Sequence, residues 1–112
     1  MADHNEKGSS AEELAVAYLK EKSYKIRETN WRYYHKEIDI VAEHENKIVI
    51  VEVKCRSERN AESPSELLGR SKMKNLVDAA EAYIFRQNLM MEVRFDFILV
   101  LFGPYGHKIQ HI

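Results

Sequence analysis

The chain holds one cysteine, Cys55, so no disulfide can close within it. That excludes the disulfide-stapled class of small secreted domain and points to a reducing compartment or to indifference to redox. An excess of one charge is also missing: 17 Lys and Arg face 18 Asp and Glu, for a net charge of −1. Such a balance argues against a protein that coats nucleic acid by charge alone. No apolar run is long enough to span a membrane, and the longest, Phe95 to Phe102, carries Asp96. Met1 to Ser10 is polar and lacks the apolar core of a secretory signal, so a cytoplasmic, membrane-free protein is expected.

What is present is ordinary in bulk and uneven in place. At 112 residues, with 45% hydrophobic and 31% charged side chains, the chain fits a single domain over 1–112 with one core. From Lys54 to Lys74 there are six Lys or Arg against three Glu, and Lys25 to Lys36 is also mainly basic. These segments fit either a face that steers a phosphate backbone or a plain solvated surface.

Residues 1–8 read as a flexible lead-in. A helix is expected from Ser9 or Ser10, each followed three residues later by a Glu in capping-box spacing. Ala11, Leu14, Ala15, Tyr18, Leu19 and Lys22 form its stripe. At about 100° per residue, Glu12 flanks that stripe and Glu13 points away. Glu12 is therefore the acid able to look into the fold, or else a first-turn carboxylate serving the helix dipole.

Strands follow at Tyr24–Tyr34, with a break near Asn30, at Glu37–Glu43 and at Lys47–Cys55. The turn His44-Glu45-Asn46 has no glycine, and Asn46 suits a left-handed conformation. A loop over 57–65 and a short helical piece over 65–68 lead to a long helix capped by Ser71. Its expected inner face is Met73, Leu76, Val77, Ala80, Tyr83, Ile84 and Gln87. Met91–Phe102 is nearly continuous in apolar residues and should be a central strand covered on both faces. His107–Ile112 completes the pattern as a short edge strand. An α/β fold with a mixed sheet flanked by helices is expected, in the order α-β-β-β-α-β, with a parallel pairing across the helical crossover.

Set into the two central hairpin strands are Asp39, Glu52 and Lys54. Buried charge costs several kcal/mol unless paired or bound to a metal. Alternation puts Ile38, Ile40 and Ala42 on one face of their strand and Asp39 on the other, while Glu52 and Lys54 continue the Ile48/Ile50 face. If the strands pair with Asp39 on the Glu52 side, two carboxylates and an ammonium meet at the open end of the hairpin. Converging carboxylates suit a hard divalent cation such as Mg²⁺ or Mn²⁺, and a neighbouring lysine can orient water or stabilise a phosphate. Glu12 would close the metal shell from the helix. The other reading is a surface Glu52–Lys54 pair with Asp39 solvated, against which the apolar strand context weighs.

Other residues give weaker signals. The histidines (4, 35, 44, 107 and 111) have no ligand spacing with Cys55 and read as surface side chains. Cys55 reads as a small strand residue, and Asp96 as the ion-pair partner of Arg94. Arg56, Lys72 and Lys74 are the cations expected against phosphate, the two lysines aided by a helix N-terminus. Trp31 and Tyr33 fit base stacking or ordinary aromatic packing.

Taken together, Gly8 to Ala15 with Tyr18-Leu19, Asn30-Trp31-Arg32, Glu37 to Ile40, Val51 to Lys54 with Arg56, Lys72, and Arg94-Phe95-Asp96 resemble the YraN family of small bacterial proteins. That family is similar to the PD-(D/E)xK nuclease superfamily. The resemblance implies a restriction-endonuclease-like fold, similar to archaeal Holliday-junction resolvases. It maps metal-binding acids onto Asp39 and Glu52, the catalytic lysine onto Lys54, and an additional helix acid onto Glu12. The chain departs from the pattern at Ala11 and Lys36, where glycine is usual, and at Ile38-Asp39, where the superfamily has Pro-Asp.

Three functions follow as expectations. One is a metal-dependent nuclease acting on branched or damaged DNA. Another is a nucleic-acid-binding module without catalysis. The third is a protein-interaction domain. A homodimer paired along the 107–112 edge is compatible with each.

Overall fold

Residues 2–57 and 69–112 are described by a computed structural model, with side chains from Ser10 onward and excluding Arg70. Helix α1 (Ala2–Glu21) leads into strands β1 (Lys25–Tyr33), β2 (Lys36–His44) and β3 (Lys47–Ser57). Helix α2 (Arg70–Gln87) then precedes β4 (Glu92–Gly103) and β5 (Gly106–His111). The sheet order is β1-β2-β3-β4-β5, with β3 and β4 parallel and the other pairs antiparallel. This is the mixed sheet with a helical crossover that the strand and helix pattern implied, extended by β5.

Tight turns set the antiparallel registers. His44 pairs with Lys47, leaving a two-residue turn in which Glu45 and Asn46 take φ of 50° and 62°. Two successive left-handed residues match the twist of the flanking strands and lock that hairpin without glycine. Tyr34, at φ 58°, serves the β1–β2 turn. After Pro104-Tyr105, Gly106 adopts φ 127°, a conformation strained for any side chain.

Among the described residues, each face of the sheet carries one helix. Ala11, Ala15 and Leu19 of α1 pack on Ile40, Ala42, Val49, Val51, Ile98 and Val100. Leu76, Ala79, Ala80 and Tyr83 of α2 pack on Ile38, Val41, Ile48 and Ile50. A fully buried leucine such as Leu19 contributes roughly 2–3 kcal/mol by leaving water. The Tyr83 hydroxyl, deep under α2, accepts a 2.8 Å hydrogen bond from Arg27 Nε, which also reaches Glu43. Phe97, Leu99 and Leu101 form a third buried group on the α2 side of β4, so β4 is covered on both faces as expected. β3, however, is the middle strand.

Several local expectations are corrected. The helix begins at Ala2, not at Ser9 or Ser10, and runs through Gly8. The single glycine there costs only about 1 kcal/mol, too little to stop a helix. Helix α2 starts at Arg70 with Gly69 as its cap, two residues before the expected cap Ser71, and without a side-chain capping bond. Gln87 is exposed because α2 ends there, its carbonyls closed by left-handed Asn88. β1 is not broken at Asn30: that residue takes φ 51° inside a continuous strand. The 65–68 helical piece lies outside the described residues.

One correction bears on function. Ile38 and Ile40 do not share a face: Ile38 packs under α2, and Ile40 under α1. The β2–β3 ladder runs only as far as Ile40↔Val51. Beyond it, the Val53 amide donates to Asp39 Oδ2 at 2.8 Å rather than to a β2 carbonyl. A side chain thus replaces a rung of the ladder, and strict alternation ends at Asp39.

Candidate metal and phosphate site

The divergence of β2 from β3 opens a cavity of about 620 Å³ bordered by Ala11, Glu12, Asp39, Glu52, Lys54 and Lys72. Arg56, Phe102 and Gly103 also border it, placing it beyond the carboxyl ends of the parallel β3–β4 pair. In α/β sheets this end is where side chains and loops are free to meet a ligand. Glu52 continues the Ile48/Ile50 face toward α2, Glu12 comes from α1 across the sheet, and Asp39 stands at the fork between them.

Glu52 is 3% exposed. Its Oε2 accepts from Lys72 Nζ at 2.5 Å and lies 3.5 Å from Lys54 Nζ. Among the described residues no ammonium lies as close to Asp39, although the charge of Lys72 reaches it. Burial, then the charge of Glu52 and, more weakly, of Glu12, push its carboxyl up to about 7, against the opposing hydrogen bond from Val53 N–H. Burial lowers the Lys54 pKa, and Lys72 beside it lowers it further. Lys72 moves the other way: burial would lower it, but the bonds to Glu52 and Lys54 and the charges of Glu52 and Asp39 together raise it.

The expected constellation is thus brought together. Asp39, Glu52, Lys54 and Glu12 all border one cavity, while Glu13 is exposed and borders only a neighbouring one. Among the described residues no three His, Cys, Asp or Glu side chains converge closely enough to enclose an ion. Glu12 therefore acts on the Asp39–Glu52 pair through its charge and as cavity wall. Two hard carboxylates beside a water-accessible cavity fit Mg²⁺ or Mn²⁺, ions that keep several waters and need one or two acids. Asp39 and Glu52 would hold the ion.

The basic residues sort differently from expectation. Lys72 turns into the site onto Glu52, while Lys74 is exposed on α2 and Arg56 borders the cavity. The 20-residue separation of Glu52 and Lys72 carries no local signal, so their pairing could not be read from spacing. Trp31 packs edge-on against Tyr83 with Arg86 over its ring, and Arg86 covers Tyr33 as well, so these aromatics serve α2 packing.

A second polar cluster lies on the α1 face. Arg94 donates through Nε and Nη2 to the two Asp96 oxygens at 2.8 and 2.9 Å, the expected ion pair. Two histidines are corrected from surface to interior positions. His111 Nε2 lies 2.5 Å from Asp96 Oδ2 and its Nδ1 3.1 Å from the Tyr18 hydroxyl. His44 stacks on Tyr24, whose hydroxyl accepts from Arg94. Tyr24 and β5 were needed to see this, since the partners lie up to 93 residues apart.

Among the described residues, no helix is long and apolar enough to cross a membrane. Residues 11–100 match the uncharacterised protein family UPF0102. Over 112 residues the chain is 47% identical to a UPF0102 protein of Bacteroides thetaiotaomicron, covering all of this chain and 93% of the relative. It is 43% identical over 111 residues to one of Flavobacterium psychrophilum, covering 99% and 93% of the two chains. A third, from Christiangramia forsetii, is 42% identical over 112 residues, covering 100% and 94%. With a match that runs through both helices and the first four strands, this chain belongs to the UPF0102 family.

Proposed function

We propose that this protein is a Mg²⁺- or Mn²⁺-dependent nuclease of the PD-(D/E)xK type that hydrolyses DNA phosphodiester bonds, on branched or damaged substrates. The observation that carries the reading is Asp39, pushed up to about 7 by burial and by the charge of Glu52, bordering one cavity with buried Glu52 and with Lys54. An acid raised by burial and by a neighbouring acid gains most from a cation that binds both.

The ion would supply charge neutralisation for the attacked phosphate and a more acidic bound water. The chain's own residues do the rest. Asp39 and Glu52 fix the ion's place, and Val53 N–H orients Asp39 through Oδ2. Lys54, with its pKa lowered by burial and by Lys72, is placed to hand a proton to or from a water in the cavity. Glu12 adds negative potential from the α1 side. Arg56 and, farther out, Lys74 would hold the flanking phosphates.

The test is cleavage of single-stranded, duplex and branched DNA, and of RNA, with Mg²⁺ and with Mn²⁺. Activity should fall at least about 100-fold on Lys54→Ala and vanish on Asp39→Ala. If no substrate is cut with either metal, the enzymatic reading fails. One observation favours a second reading: Lys72 already neutralises Glu52 from within the chain. A binding module without catalysis would hold DNA in a salt-dependent way and keep that affinity in Asp39→Ala. A homodimer along β5 belongs to the first reading, and sedimentation at micromolar concentration checks it.

A further inference from the structure

Glu52 Oε2 is shared by two ammonium groups that reach it in different ways. Lys54 stands two residues along the same strand, its side chain 24% exposed, with Nζ 3.5 Å away. Lys72 comes from the first turn of α2 on a side chain 45% exposed, and makes the shorter contact of 2.5 Å. Between them, Lys72 has the longer path through solvent and an independent element behind it. It can swing out without disturbing the sheet.

A divalent ion held by Asp39 and Glu52 would compete with Lys72 for the Glu52 electron pairs and would repel its ammonium. We propose that Lys72 is a removable counter-ion: it neutralises Glu52 in the metal-free chain, is displaced when the cation enters, and is then free to hold a substrate phosphate. This rests on the reading of Asp39 and Glu52 as metal ligands. It assigns Lys72 two successive partners where the sequence suggested only the second. The motion needed is a change of side-chain rotamer at the rim of the cavity, which is a fast and inexpensive rearrangement.

The experiment is Mn²⁺ binding to the full chain without nucleic acid, followed by electron paramagnetic resonance of free Mn²⁺. Wild type, Lys72→Met, Lys72→Gln and Glu52→Gln are compared, with circular dichroism to show that each is folded. Removing the competing ammonium should tighten Mn²⁺ binding about tenfold in both Lys72 variants, while Glu52→Gln should weaken it. In wild type, Mg²⁺ should shift the ε-methylene resonance of Lys72 toward that of a solvated lysine. Equal or weaker Mn²⁺ binding in the folded Lys72 variants, with Glu52→Gln still impaired, would overturn the counter-ion proposal and leave the metal site standing. Absence of Mn²⁺ binding in every chain would instead overturn the metal reading itself.

Discussion

Glu52 and Asp96 are the two buried acids among the described residues, and they sit one rung apart on neighbouring strands. Asp96 pairs with Val51 and looks toward α1, while Glu52 pairs with Phe97 and looks toward α2. Asp96 has a matched shell: Arg94 takes both oxygens, His111 joins one of them, and Tyr18 and Tyr24 tie the partners down. Glu52 has two lysines crowded onto one oxygen, a second acid nearby, and a cavity in front. Buried charge alone therefore does not mark a functional site. A planar guanidinium matched to a carboxylate closes a structural site, whereas an acid with two lysines crowded on one oxygen and a second acid beside it is the unmatched arrangement the metal proposal rests on.

The contrast can be tested from its strongest side. Asp96→Ala strips half-buried Arg94 of both its carboxylate bonds and His111 of its own, and should destabilise the fold by about 3–5 kcal/mol in urea denaturation. It should leave Mn²⁺ affinity unchanged, and a loss of metal binding in the folded variant would break the division between the two clusters.

Asp39→Asn should act in the opposite direction. The folded chain holds a proton on Asp39 up to about 7, while the ordinary carboxyl value is 3.8. In metal-free solution the contribution of that group is fully present below pH 4 and is lost as pH rises through 7, because there the folded state alone must release a proton. An amide does not titrate, so Asp39→Asn should be more stable than wild type by roughly 2–4 kcal/mol above pH 7 and near equal to it at pH 4. Denaturation at the two pH values in a chelator measures this, and added Mg²⁺ should narrow the gap by stabilising wild type. A variant that is no more stable at pH 8 would show Asp39 to be as well satisfied as Asp96.

The smallest effect is expected at the edge of the structural cluster. Tyr18→Phe removes one hydrogen bond to His111 Nδ1 and should cost about 1 kcal/mol, with no change in metal binding or cleavage.

Much of this was legible before the structure. Helical spacing separated Glu12 from Glu13, and the first of these borders the cavity with Asp39 and Glu52. Apolar periodicity located β2, β3 and β4 to within a few residues, because each carries buried residues, whereas the edge strands β1 and β5 carry none. Alternation failed at one place, between Ile38 and Ile40, where the Asp39 carboxylate takes a backbone rung and turns the strand. That failure falls beside the cavity, where the Asp39 side chain has replaced a regular ladder bond.

The sequence by itself determined the α/β pattern, the mixed sheet and the short set of acids and lysine around the central hairpin. These follow from periodicity and spacing, which act over a few residues. Only the tertiary structure decided which cation meets which acid. Lys72 reaches Glu52 because α2 crosses back over the sheet, and His111 reaches Asp96 because β5 folds beside β4. Pairings between distant segments depend on how helices and strands pack, and local spacing holds no record of them.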